Sequence, residues 1–239
     1  MEPLRECPAW RGNAECLACD GRENSFFTGL SAETVSSLHV DVVNTATPSG
    51  AVLFDRDSEA TGVWVMRTGA VKLMAAAWDG TQRIVRVLKP GDVAGLEALL
   101  AGGYGHTAMT VGEVRACWIP LSMVRQLCLE NPVFQWGLMV RLQAALRETE
   151  SWLLDLSSTG VSARTRMARL LLRLRVDENG ARILNFSRDE LGLMLGVTTE
   201  TASRIIAAFQ REKILARGEP GSRSFIGDVT ALETVARGK

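Results

Sequence analysis

Apolar residues change their period twice along this chain. From about Thr47 to Pro120 they form short runs separated by glycines: Ala51-Val52-Leu53-Phe54, Gly62 to Met66, Ala70 to Met74, Arg83 to Leu88 and Val114 to Ile119. Asp79-Gly80 and Pro90-Gly91-Asp92 supply turn chemistry between them, so this segment predicts an antiparallel sheet closed into a roll or sandwich. After Asn131-Pro132 the spacing lengthens, and Met139, Leu142, Leu146, Thr149, Leu153 and Leu156 follow in alternating steps of three and four. That is the seam of a coiled coil, although a single buried amphipathic helix leaves the same signature over so short a run. A long helix between a β segment and a basic segment favours the dimer.

Ser157-Ser158-Thr159-Gly160 ends that helix, and Val161 to Arg175 predicts another with Met167, Leu170, Leu171 and Leu174 apolar. Asp177-Glu178-Asn179-Gly180 is a turn signal. Ser187-Arg188-Asp189-Glu190 has the form of a capping box, in which hydroxyl and carboxylate each satisfy the other residue's amide. The helix it opens stops at Gly196-Val197, and a second begins at Thr198 with Ala202, Ile205, Ile206 and Phe209 apolar. Two short helices joined by a glycine turn make a helix-turn-helix unit. Glu200, Ser203, Arg204 and, one turn on, Ala207 form the polar stripe of the second helix, which puts three residues able to contact base edges near its N-terminus. An ordinary helical hairpin with a solvated Glu200–Arg204 ion pair fits the periodicity equally well.

With 239 residues, 46% of them apolar and 23% charged, the chain can bury a core and form one large domain or two modest ones. The formal net charge of zero hides an asymmetry: from Gly160 on there are 14 Lys/Arg against 9 Asp/Glu, and before it 13 against 18. A basic C-terminal third permits nucleic-acid binding without requiring it. The longest uncharged stretch, Ala98 to Gly112, has 15 residues and four glycines, too short and broken for a membrane helix. Met1 to Glu6 shows no basic leader before an apolar segment, which predicts a cytoplasmic protein. No Ser-His-Asp set, phosphate loop or paired carboxylates suggest an enzyme.

The run Phe186-Ser-Arg-Asp-Glu-Leu-Gly-Leu-Met-Leu-Gly196-Val-Thr-Thr-Glu200-Thr-Ala-Ser-Arg204-Ile-Ile-Ala-Ala-Phe-Gln closely resembles the DNA-binding signature of the Crp/Fnr superfamily of transcription regulators. Leu215 to Ile226, with Glu219-Pro220-Gly221-Ser222 at its centre, fits the wing that follows there. The resemblance implies an α+β chain: a cysteine-rich arm at 1–25, a cyclic-nucleotide-binding-like antiparallel β-roll at 26–130, a dimerisation helix at 131–158, and a winged helix-turn-helix at 159–239. It implies a homodimer on double-stranded DNA, with RNA polymerase as a partner and an inverted repeat of a TTGAT-like half-site. Thr199, Glu200, Ser203 and Arg204 then occupy the base-reading positions, and Arg223 in the wing contacts the backbone.

In the cyclic-AMP branch of that superfamily an arginine holds the phosphate, yet no arginine lies between Arg86 and Arg115 here, so no cyclic nucleotide is expected. In the Fnr branch an oxygen-labile 4Fe-4S cluster is held by three cysteines of the arm and one just before an Ile-Pro, the position of Cys117 in Cys117-Trp-Ile-Pro120. Cys16 and Cys19 match the arm's Cys-x2-Cys pair, but Ser25 stands where the commonest pattern has its third cysteine. Cys7-Pro8 ahead of that pair resembles a second subset of the branch, one residue longer in the loop. The resemblance therefore implies Cys7, Cys16, Cys19 and Cys117 as ligands of an oxygen- or redox-sensing cluster. Incidental thiols or a zinc site would use the same residues. Cys128 reads as a small buried apolar residue.

Family members often carry an acidic residue in the dimer helix at the position of Thr149, where like charges keep cluster-free subunits apart; Glu148 and Glu150 flank it but point off the seam. His39 and His106 are isolated and read as surface or packing residues, although His106 leaves open a cluster-free family member sensing a haem-bound gas or another small effector. An iron-sulfur redox protein without a DNA role would explain the cysteines and leave the Glu200, Ser203, Arg204 stripe unused.

Overall fold

In the computed structural model, described over residues 26–31, 33–35, 42–157, 160–176, 180–218 and 224–238, the short apolar runs fuse into longer strands. Cys7, Cys16, Cys19, His39 and Arg223 lie outside the described residues. The N-terminal sheet contains β1 (Val43–Thr47), β2 (Val52–Phe54), β3 (Gly62–Ala76), β4 (Gln82–Leu88), β5 (Val93–Ala94) and β6 (Thr107–Pro120). Its order is β1-β6-β3-β4, with β2 also on β6 and β5 on β3. The runs Gly62–Met66 and Ala70–Met74, separate in the sequence reading, belong to one strand. Gly69 with φ of 81° makes a bulge there instead of a break, and the register with β6 shifts on either side of Thr68.

Short helices α1 (Ala98–Ala101) and α2 (Leu121–Glu130) precede the long helix α3 (Pro132–Ser157). The described residues form two compact units. One runs to Arg147 without Ala76–Arg86, and the other takes up that segment and everything from Glu148. The first is built around Phe26, Phe27, Val63, Val65, Ile119 and Phe134, with the Phe26 and Phe134 rings edge to face at 5.4 Å. Tyr104 is also buried; its hydroxyl donates to the Gly62 carbonyl at 2.7 Å while its ring stacks on Phe54 at 3.9 Å.

Helix α3 divides its apolar residues between two faces. Phe134, Leu138, Trp152 and Leu156 are buried, and Leu142 packs against the N-terminal core. Met139, Leu146, Thr149 and Leu153 face outward, joined by Trp136, Val140 and Leu154. The structure thus places Leu142 and Leu156 in the packing of their own units and leaves the other four seam residues on an uncovered stripe. Glu148 is turned off that stripe and accepts from Arg86 Nη2 at 2.8 Å.

The second unit continues with α4 (Ala163–Arg173), β7 (Arg182–Leu184), α5 (Arg188–Leu195), α6 (Thr199–Arg211), β8 (Leu215–Arg217), β9 (Ser224–Gly227) and α7 (Val229–Ala236). The four apolar positions foreseen at Met167, Leu170, Leu171 and Leu174 are all fully buried. Each is worth up to about 1.5 to 3 kcal/mol of burial. The expected two-stranded wing is part of a three-stranded sheet, order β7-β9-β8, in which Arg182 pairs with Ile226 and Leu184 with Ser224.

Candidate nucleic-acid interface

Local contacts set the two helices at this site. Ser187 Oγ accepts from the Glu190 amide at 3.1 Å, and the Glu190 carboxylate accepts from the Ser187 amide at 2.8 Å, completing the capping box that starts α5. The helix ends at Gly196 in a left-handed C-cap. Gly192 is where the turn folds back: a Cβ there would stand 2.7 Å from the Val197 carbonyl oxygen, so only glycine admits this approach. Thr198 then caps α6, its hydroxyl accepting from the Thr201 amide at 3.3 Å.

Ala202, Ile205, Ile206 and Phe209 are buried and fix the inner face of α6. Its outer face carries Thr199, Glu200, Arg204 and Ala207 exposed, with Ser203 half-buried between them. Hydrogen bonds from its own backbone amide and from Thr198 hold the Glu200 carboxyl below its usual value, against the neighbouring Asp189 charge. Among the described residues no ion pair joins Glu200 to Arg204. The outer row combines an acceptor-only carboxylate with a guanidinium donor one turn on, the pair of chemistries needed to read cytosine amino groups and guanine edges.

Three features here escaped the sequence reading. Thr199 Oγ1 donates to Asp189 Oδ1 at 2.5 Å, tying the start of α6 to the start of α5. The Arg188 guanidinium lies over the Phe225 ring at 5.5 Å. Burial first, and then repulsion from Arg217, lower its pKa, so two cations share this edge of the unit. A basic residue at the first position of a capped helix, facing an aromatic residue in the wing, was the available signal. Helix α7 was also unforeseen, although Asp228 caps it by accepting from the Ala231 amide at 3.0 Å.

Of the four expected cluster ligands the described residues include Cys117. It lies on β6 between β1 and β3, opposite Asn44 on one side and Val65 on the other, and its thiol donates to Asn44 Oδ1 at 3.2 Å. Cys117 is half-buried and packs against the cluster that contains Phe26 and Phe27. Phe26, seven residues after Cys19 in the sequence, belongs to that same cluster. A cysteine thiolate is the donor type an iron-sulfur cluster requires, and among the described residues no group of three or more metal-binding side chains surrounds Cys117. Cys128 packs on the same core, and burial pushes its thiol pKa up, in keeping with an inert apolar role. His106 Nδ1 faces Glu97 Oε1 at 3.6 Å.

Residues 165–235 match the family described as the Crp-like helix-turn-helix domain, and residues 45–131 match the cyclic nucleotide-binding domain. The chain is 26% identical over 209 residues to the transcriptional activator protein Anr of Pseudomonas protegens, covering 85% of each. It is also 26% identical over 188 residues to a CRP-like cAMP-activated global transcriptional regulator of Mycobacterium tuberculosis, covering 77% of this chain and 84% of that one. Among solved structures, FixK2 from Bradyrhizobium japonicum superposes with a TM-score of 0.70 at 23% identity, covering 81% of this chain and 96% of that one. That is a likeness of fold.

Proposed function

This chain is a DNA-binding transcription regulator of the Crp/Fnr family, and from that premise we propose that it binds an inverted-repeat, TTGAT-like site as a homodimer and senses oxygen or redox state through a labile 4Fe-4S cluster. The observation that carries the DNA reading is the outward row of Glu200, Ser203 and Arg204 on a helix whose other face is buried. Arg204 donates to guanine, Glu200 accepts from a nearby cytosine amino group, and Ser203 tunes the outer thymines. Thr199 stands where the cyclic-AMP branch has an arginine and disfavours that branch's half-site. Arg188 and Arg217 hold phosphates beside the wing, with Arg223. Two half-sites about 10 bp apart suit a two-fold dimer.

Dimerisation uses the uncovered stripe of α3, with Met139, Leu146, Thr149 and Leu153 at its centre and Trp136 and Val140 beside them. Cys7, Cys16, Cys19 and Cys117 would hold the cluster, which when bound supplies a centre that oxidation dismantles. Asn44 and the β1–β6–β3 ladder keep Cys117 in place for it. The segment from Gly91 to Met109 has no arginine, which favours this signal over a cyclic nucleotide, whose phosphate would lack a bidentate partner. The activator among its relatives supports RNA polymerase as the next partner, and no described helix is long and apolar enough to cross a membrane, consistent with a cytoplasmic regulator.

Two measurements test the reading. Protein purified without air should carry iron, sulfide and a visible absorption band, all lost in Cys117→Ser and kept in Cys128→Ser; colourless reconstituted protein would remove the cluster. In a titration at fixed salt, Arg204→Ala should lose about 1 to 3 kcal/mol and its preference for the half-site guanine. Retention of that preference would mean that α6 is not the reading helix.

A further inference from the structure

The Asp189–Thr199 hydrogen bond changes what the first turn of α6 can recognise. Asp189 is at the second position of α5 and Thr199 at the first position of α6, so the bond joins the two helices at their N-terminal ends. A threonine hydroxyl has one proton and two lone pairs, whereas an ionised carboxylate only accepts. In the observed geometry the proton is spent on Asp189 Oδ1 at 2.5 Å, and both residues are exposed, with the Asp189 charge felt by Glu200. What Thr199 then offers outward is a lone pair. Glu200, next along, also offers only lone pairs, and its ionised form is favoured by hydrogen bonds from its own amide and Thr198. Thr199 and Glu200 thus offer acceptors outward, and the outward donors follow with the Ser203 hydroxyl and the Arg204 guanidinium.

We propose that Asp189, outside the reading helix, is a specificity-determining positioning residue: by taking the Thr199 proton it makes Thr199 an acceptor and directs the first turn of α6 toward a base that presents an amino group in the major groove, adenine or cytosine. Guanine O6 and thymine O4 are acceptors and meet only lone pairs there. This rests on α6 being the reading helix, as argued above. With Asp189 removed, the hydroxyl rotates freely and serves donors and acceptors alike, so the preference falls without any change in the residue that faces the base.

The test is a binding titration of full-length protein, prepared without air, at fixed salt. The DNA panel is an inverted repeat with each half-site base pair replaced in turn by the other three. Wild type, Asp189→Ala, Thr199→Val and the double variant are compared. The expected result is one base pair at which wild type prefers an amino-bearing base by about three- to tenfold, with that preference lost in both single variants. The double variant should show no further change in preference, as two residues acting through one bond require. If Asp189→Ala weakens all sequences equally and keeps the profile, Asp189 serves only the helix terminus and the proposal is overturned. It is equally overturned if Thr199→Val alone changes the profile. A wild type that shows no base preference anywhere would instead overturn the reading-helix assignment. Thermal melts of Thr199→Val, which keeps the side-chain shape, guard against a loss of binding through unfolding.

Discussion

The two units hold their decisive side chains by opposite means. In the C-terminal unit, the caps and turn that start α6 are made between near neighbours: Ser187 with Glu190, Gly192 with Val197, Thr198 with Thr201, and Asp189 with Thr199, ten residues apart. In the N-terminal unit Cys117 is fixed by strands that arrive from far away, Asn44 being 73 residues distant. Caps and tight turns form as soon as their own few residues adopt the right dihedrals, whereas a ladder between distant strands must first close long loops. The start of α6 is therefore set by its own few residues, while its buried face still needs the rest of the unit. The Cys117 thiol depends on the distant strands of the roll being paired.

That contrast can be broken in four ways. The largest effect should come from Phe209→Ala, which removes a fully buried ring from α6 at a cost of about 3 to 5 kcal/mol. Calorimetry should show the C-terminal transition falling while the N-terminal one stays, and one shared, shifted transition would deny the unit its self-sufficiency. Next is Gly192→Ala. Its methyl group would meet the Val197 carbonyl oxygen at 2.7 Å and should open the turn at about 1 to 3 kcal/mol; DNA affinity should collapse while the rate of Cys117 alkylation is unchanged. Leu146→Asp touches neither device, because Leu146 is 59% exposed within its own chain. It should leave the melting profile intact and weaken dimerisation at least about tenfold, or about 1.4 kcal/mol, read by sedimentation; an unchanged profile at low concentration would clear this helix of interface duty.

The smallest effect concerns Arg164 and Glu212, whose side chains pair at 3.0 and 2.5 Å on the surface. The hydrogen bond from Arg164 is the main reason that the Glu212 carboxyl titrates below its usual value. A depressed carboxyl stabilises the fold above its unfolded pKa and loses that contribution as pH falls through the folded one. Being exposed, the pair contributes little. Denaturant midpoints of wild type and Arg164→Met should therefore differ slightly at neutral pH and converge in acid, and a gap that persists in acid would assign Arg164 to packing on the Phe209 ring, 4.7 Å away.

What could be read ahead of the structure follows the same division. The capping box, the glycine turn, the buried face of α6 and the four apolar positions of α4 were all legible, because each is a pattern within one or two turns of chain. Strand β7 was not, since Arg182-Ile183-Leu184 is three residues long and becomes a strand only by pairing with Ser224–Ile226. Gly69 looked like the end of a strand because a bulge and a break share the same residue, and only the partner β6 distinguishes them. Along α3 a heptad pattern located the apolar positions but not their partners: Leu142 and Leu156 satisfy the same spacing as Leu146 and Leu153 while packing inside their own units. At the candidate site, residue types announced Glu200 and Arg204. The partner that commits the Thr199 proton did not show, because Asp189 also suits the first turn of any helix.

The uncovered stripe of α3 has a practical consequence for anyone handling the protein. Trp136, Met139, Leu146 and Leu153 lie along one side of a single helix and leave more than half of each side chain in water in the isolated chain. A contiguous apolar strip of that kind drives indiscriminate sticking when nothing covers it. Dilution, or a truncation that spares the strip, should therefore produce the less soluble form, with losses to surfaces and chaperones during expression. A single-chain version suitable for spectroscopy needs charged replacements at these positions, since alanine would weaken pairing yet keep the strip greasy.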